Sequence, residues 1–466
     1  MFRRRSTDVR ALQFEEVHRH RPRALLSPLL TCESAAPAPS PPGELVFLGS
    51  GPPAPFCTVL AEVGDLGPGT GVVVGLSGAV GSVLAHWSPE GGEVRLEVAG
   101  GSGPAVVATG RAELVTGGSF ALVVNENRVV VLVGGPGEDP QPVLVADRED
   151  VRRILDLRAR EVLAGLGYVH GLTGRGAGRF ARVRAGLSGP AGVRDPQVVR
   201  RPDGSPYVVD GKVHLTMTSA GLGFFQQAHW TVWTLDLAHP ERFEQVGALF
   251  SARDGLVLGD HAGHLVVDET AGRTVALVSS WGDHDPVRGV HVRHLTTTAD
   301  LLHGVHVLPT ERLDLPTGAS AWDPSLARVD GRWLLAYVEC VGFEPRYRFH
   351  PALAVARGGD YDQDLVSVGI DAGREQTEGA LLQRFGKEWR VLASDGDARE
   401  FLVYDTRLRE QGRLQAPYGT NIPHPCIVRT TDDGPWSMVT FDGTPWREDL
   451  LGYGTHGDLV VLAARR

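Results

Sequence analysis

Apolar residues recur along this chain in short runs with a period of two, broken by Gly, Pro, Asn and Asp, and long stretches with a helical period are few. Between Gly43 and about Pro142 the runs Leu45 to Leu48, Gly71 to Leu76, Val94 to Val98, Phe120 to Val124 and Val129 to Val133 each predict a strand. The turn Asn125-Glu126-Asn127 joins the last two as a hairpin. One helical pattern follows: Asp150 caps a segment in which Val151, Ile154, Leu155, Val162 and Leu166 share a face. The expected division is an arm and linker over 1–42, a β domain over 43–147, and a connector helix and loop over 148–178.

Five imperfect units fill the remainder, 179–466. The first runs from Asp195 through strands Gln197 to Arg200, Val213 to Thr218, His229 to Leu235 and Gln245 to Phe250. The second starts near Asp260, the third at Asp323, the fourth at Glu378 and the fifth at His424, and most turn at a glycine pair such as Asp330-Gly331 before a second strand. Four-stranded units repeated around an axis describe a β-propeller, so the fold class is all-β, a five-bladed propeller preceded by a β domain and a connector helix. The fifth unit is one strand short, and Phe180 to Leu187 is the segment expected to complete it and close the ring.

Composition adds limits. The 59 Gly and 31 Pro agree with many strands joined by tight turns, and 42% hydrophobic with 22% charged residues is ordinary for a globular chain. A formal charge of -10 argues against general affinity for nucleic acid backbones. No apolar run is long enough to span a bilayer, and Arg3-Arg4-Arg5 is followed by no export-signal core. Cys32, Cys57, Cys340 and Cys426 form no metal or disulfide pattern, which with the missing signal gives a cytoplasmic location as the expectation. The tract Ala35 to Pro42 is too poor in apolar surface to order itself.

Chemistry is expected where the units begin. In a propeller the innermost strands start at one mouth of a central funnel, which would gather Asp195, Asp260, Asp323, Glu378 and His424. Carboxylates sharing a cavity raise one another's pKa, as an acid/base pair requires. A single Asp before Pro is more often a turn former, and it is the ordered set that points to a site.

That ordered set (Asp195-Pro196 opening the first unit, Asp323-Pro324 the third, Glu378-Gly379 the fourth, a histidine the fifth) resembles the five-bladed glycoside hydrolases of family 43 and their clan over about residues 180–466. The N-terminal strand rhythm resembles a concanavalin-like or laminin-G-like β-sandwich. The first resemblance implies that Asp195 is the general base, Glu378 the general acid, and Asp323 the residue that tunes the acid and orients substrate. Inverting hydrolysis of this kind needs two carboxyls roughly 6.5–9.5 Å apart. It also implies that His424 lies near the axis beside a structural calcium or a solvent cluster; a hydrogen-bonded histidine in a polar channel is the equal alternative. No cofactor is required.

Asp260 with His261, Trp322 beside Asp323, and His424 are the expected substrate contacts, with an ordinary strand cap as the plainer role for Asp260. Of Trp230, Trp281, Trp322, Trp389 and Trp446, most are expected between blades. Arg194-Asp195-Pro196 and Glu339-Cys340 also resemble motifs of the invertase-like retaining propellers, but their order along the chain does not fit. The expected partner is a small-molecule or oligosaccharide substrate, with no nucleic acid and no membrane. The leading function is an inverting glycoside hydrolase acting on an oligosaccharide or a glycosylated metabolite. The alternatives are a cofactor-free cyclase, lyase or isomerase of specialised metabolism on the same scaffold, and a non-catalytic ligand-binding propeller.

Overall fold

The computed structural model describes residues 8–35, 43–431, 433–445 and 456–465. Arg3 to Arg5, most of the Pro-rich tract and Trp446 lie outside them. Among the described residues the strands form seven sheets, and no helix is long and apolar enough to cross a membrane.

Two of the sheets are six-stranded. One runs, edge to edge, Gln141–Ala146, Arg128–Gly134, Ser119–Asn125, Phe56–Leu66, Gly178–Ser188, Leu26–Ala35. The other runs Leu45–Ser50, Leu166–Gly174, Thr70–Gly78, Gly81–Ser88, Glu93–Gly100, Gly103–Arg111. A shared core of Val59, Val74, Leu96, Phe120, Val131 and Val183 joins them. The first sheet buries its other face too, through Leu60, Val123, Val130 and Leu132. Burial on both faces is why Ser119–Asn125 and Arg128–Gly134 read as unbroken valine-rich runs.

The single helix expected from Asp150 is instead two short ones. Asp147 caps Arg148–Ile154, accepting from the Glu149 N–H, and a second helix spans Arg160–Ala164. Asp156 separates them because its carboxylate accepts the Arg158 N–H at 3.1 Å, an alternative to helical bonding for an aspartate. Leu166 then opens a strand rather than closing a helix face. The strands Leu166–Gly174 and Gly178–Ser188 belong to the six-stranded sheets, so this unit reaches well past residue 147.

The other five sheets follow in chain order. Their first strands are Gly192–Val198, His261–Asp268, Ser320–Val329, Thr377–Phe385 and Cys426–Val428. These strands bond to one another in a closed ring. The Arg200 N–H, just past the first strand, donates to the Leu265 carbonyl (3.2 Å), Leu326 N–H to His264 Nδ1 (3.1 Å), Leu382 N–H to Ser325 Oγ (3.1 Å), Ile427 N–H to Gln383 Oε1 (3.1 Å) and Val198 N–H to Cys426 Sγ (3.3 Å).

The last sheet is completed from an unexpected place. Gln13–His20, read from sequence as part of an arm, pairs antiparallel with His456–Arg465. Phe180 to Leu187, expected to close the ring, is a central strand of a six-stranded sheet, held between Phe56–Leu66 and Leu26–Ala35. The physical reason is burial. Phe14 packs into a core of Phe385, Phe401, Ile427, Met438 and Leu462, while Arg19 and Arg21 reach the Asp458 carboxylate. His-Arg alternation in this segment is the two faces of an edge strand, half-buried His18 and His20 on one and exposed Arg19 on the other, not a mark of disorder.

Candidate active site

Four of the five first strands carry the same irregularity. Arg194 pairs with Thr218 and Gln197 with Thr216, so Asp195 and Pro196 together oppose one residue. The same two-against-one count holds for Ala262-Gly263, Asp323-Pro324 and Gly379-Ala380. Each is a β-bulge whose extra residue is left-handed: φ is 51° at Asp195, 52° at Ala262, 52° at Asp323 and 65° at Gly379. Glycine is the usual occupant of that position, and aspartate is among the few other residues that enter it readily. The following proline costs no ladder bond because a bulge already interrupts pairing.

The bulges decide what faces the funnel. In each, the residue before the bulge and the left-handed residue both reach one end of the ring, so Arg194, Asp195, His261, Ala262, Trp322, Asp323 and Glu378 line one cavity with His424. This corrects the equivalences expected from sequence. Asp195 and Asp323 occupy matching positions, but Glu378 matches Arg194, His261 and Trp322, one residue earlier, and Gly379 stands where the aspartates do. In the second unit the counterpart of Asp195 is Ala262, not Asp260.

The cavity has a volume of about 510 Å³. His424 Nε2 lies between the two aspartates, 3.7 Å from Asp195 Oδ1 and 3.5 Å from Asp323 Oδ2. Asp195 accepts a 2.7 Å hydrogen bond from Thr218 Oγ1, and Asp323 accepts the Gly379 N–H at 3.1 Å. Trp322 Nε1 donates to Glu378 Oε2 at 3.3 Å. The side chain of His424 packs so closely on Gly379 that a Cβ there would come within 2.5 Å of its Cδ2. His261 Nε2 donates to the Phe225 carbonyl at 3.0 Å.

Electrostatics separates the acids. Glu378 is pushed up to about 8, first by burial and then by the Asp195 charge, with Arg194 and the Trp322 N–H opposing. It therefore holds its proton at neutral pH. Asp323 is likewise held well above the usual carboxylate range, by burial first and then by Glu378 and Asp195. Burial lowers His424 and takes His261 to about 4, so both imidazoles are neutral.

Asp260 does not line the cavity. It is buried behind it, ion-paired with Arg253 and accepting the Gly282 N–H at 3.1 Å. Glu339 also lies off the cavity, bound by Thr317 and by His350. Trp230 is core, as most tryptophans were expected to be, but Trp281 joins Trp322 on the cavity wall. Among the described residues no group of three His, Cys, Asp or Glu side chains is arranged to hold a metal ion.

Sequence reasoning missed most of the remaining wall. Phe224, Phe225, Tyr347, Phe349, Gln376, Asn421 and Ile422 complete it, and all but Phe349, on a strand, and Phe225, which opens a three-residue 3-10 helix, lie between the regular elements. The paired Phe224-Phe225 after Gly221-Leu222-Gly223 was the one visible signal, an apolar pair where a turn should be polar.

No protein-family model matches this sequence, and no curated protein matches it. Among solved structures the chain is similar to the GH43_1 enzyme from Xanthomonas citri complexed with xylotriose, at 15% identity over 59% of this chain and 89% of that one, with a TM-score of 0.42. It is similar to a family 117 glycoside hydrolase produced by Zobellia galactanivorans, at 11% identity over 59% and 84%, with a TM-score of 0.42. A mutant of B. subtilis levansucrase is a further match, at 8% identity over 59% and 86%, with a TM-score of 0.44. Each of these similarities covers 59% of this chain.

Proposed function

We propose that the five sheets are the blades of a five-bladed propeller, that the two six-stranded sheets form a β-sandwich, and that the funnel cavity is the active site of an inverting glycoside hydrolase-like enzyme. The closed ring of first strands supports the first part, and the shared core of the two sheets supports the second. One observation carries the third: a buried carboxyl that keeps its proton up to about pH 8, Glu378, shares a cavity with a second carboxyl, Asp195. Hydrolysis of a glycosidic bond needs a carboxylic acid able to give a proton and a second carboxyl within the same site.

In this reading Glu378 gives its proton to the bridging oxygen as the bond from that oxygen to the anomeric carbon breaks. Asp195 takes a proton from the attacking water, and the two carboxyls return to their starting states by exchange with solvent. Asp323 and His424 are positioning residues: Asp323 fixes the backbone beside Glu378 through the Gly379 N–H, and neutral His424 spans the two aspartates. The substrate class is an oligosaccharide or a glycosylated small molecule.

The test is a panel of 4-nitrophenyl furanosides and pyranosides. At least one should release nitrophenol, with the opposite anomer as first product by NMR, and on the matching alkyl glycoside, whose leaving oxygen needs the proton, Glu378→Gln should lower kcat by about 10²–10⁴-fold, the range general acid catalysis supplies. Retention of configuration would replace inversion by a double displacement, and silence across the panel would reject the hydrolase. The second reading, a cofactor-free cyclase or lyase, is supported by the aromatic walls around the same neutral acid. It predicts turnover without incorporation of ¹⁸O from labelled water.

A further inference from the structure

The cavity has two unlike sides. From its rim toward the acid runs a continuous file of rings. Phe224 lies 4.2 Å from Phe225, Phe225 lies 4.5 Å from Trp281, Trp281 lies 5.2 Å from Trp322, and Trp322 donates its indole N–H to Glu378. The Phe225 and Trp281 planes are inclined by only 31°. Arg194, Asp195, Asp323, Gln376, Asn421 and His424 bring polar groups to the rest of the wall, beside Tyr347, Phe349 and Ile422.

The outer end of the file is held in place. The Phe225 carbonyl is fixed by His261, and the loop bearing Phe224 is tied at the Leu222 N–H to Asn125 (2.9 Å) and by Gln226 to the His284 carbonyl (2.7 Å). A phenylalanine face has no hydrogen-bonding group for a sugar hydroxyl, whereas offset stacking on a flat ring is favourable at such separations. Because the file ends on the acid, the part of a substrate lying against it is the part whose oxygen Glu378 protonates.

From this we infer that the aromatic file is a binding subsite for a planar aromatic aglycone, so that the substrate is an aryl or arylalkyl glycoside and not a plain oligosaccharide. This rests on the glycosidase reading above and deepens it. On cleavage the electron pair of the broken bond stays on the aglycone oxygen, the Glu378 proton joins it, water supplies the hydroxyl of the sugar, and a free phenol or alcohol leaves along the rings.

The test separates the subsite from the hydrolysis. Binding of 2-naphthol to the full-length protein is measured by calorimetry and by quenching of tryptophan fluorescence, beside its saturated counterpart decahydro-2-naphthol, of similar size but not planar. The expected result is at least tenfold tighter binding of 2-naphthol, a preference that Phe225→Leu abolishes and Phe225→Tyr, which keeps the ring, restores. Equal affinities, no binding of either compound, or an unchanged preference in Phe225→Leu would overturn the subsite. Naphthol binding without turnover of any aryl glycoside keeps the aromatic subsite and removes the hydrolase; turnover without the naphthol preference does the reverse.

Discussion

At the scale of single residues, the site depends on four left-handed positions. Aspartate at two of them brings a carboxyl to the funnel where glycine, the usual occupant, would bring nothing. Gly379 is the informative exception. Its φ of 65° and the approach of His424 leave no room for a side chain, and its N–H holds Asp323. Gly379→Ala should cost roughly 1–2 kcal/mol for the left-handed backbone alone, lower Tm, and cut kcat more than it raises KM, because His424 must move while the aromatic subsite stays. Melting and steady-state kinetics on one preparation test this, and an unaltered kcat would separate His424 from the reaction. The Asp-Pro pairs were legible in the sequence, and so was their gathering. Their exact register was not, because these strands are buried on both faces and show no alternation whose phase the extra residue of a bulge would shift. Matching Glu378 to the aspartates, when it sits with Trp322 and Arg194, is the error that follows.

Elements taught a different lesson. The valine-rich strands and the hairpin at Asn125-Glu126-Asn127 were visible because local pattern and tertiary burial agree there. The pairing that completes the last sheet was not, because it joins segments more than 400 residues apart, Phe14 against Ala464, and local pattern carries no such pairing. Burial of Val9 and Phe14 depends on it. Removing residues 1–22 should therefore forfeit about 3–6 kcal/mol from those two side chains and expose His456–Arg465 as an open edge. The expected outcome is a lower Tm with concentration-dependent light scattering. A truncated protein that melts like the parent would show that the strand decorates the last sheet rather than stabilising it.

Across the whole molecule, the two-sheet unit and the ring meet at the same hairpin. Asn125 accepts the Leu222 N–H of the loop that carries Phe224 and Phe225. Glu126, taken up to about 8 chiefly by burial, accepts the Gly259 N–H just before His261 at 3.1 Å. Two walls of the cavity thus hang from one turn of the N-terminal unit, an arrangement that no reading of separate domains anticipates. The acid at the far end of those walls is what the account stands on. Glu378 has a folded pKa raised above its ordinary value, so its protonated form persists below about 8 and is lost as pH rises through that value. The most direct measurement is kcat/KM against pH, from 5 to 10, for whichever aryl glycoside the protein cleaves, in the parent and in Glu378→Gln. The account predicts a plateau through neutrality, a tenfold fall per pH unit above about 8, and residual activity without that limb in the variant. An activity that rises with pH across this range, or the same alkaline limb in Glu378→Gln, would contradict it.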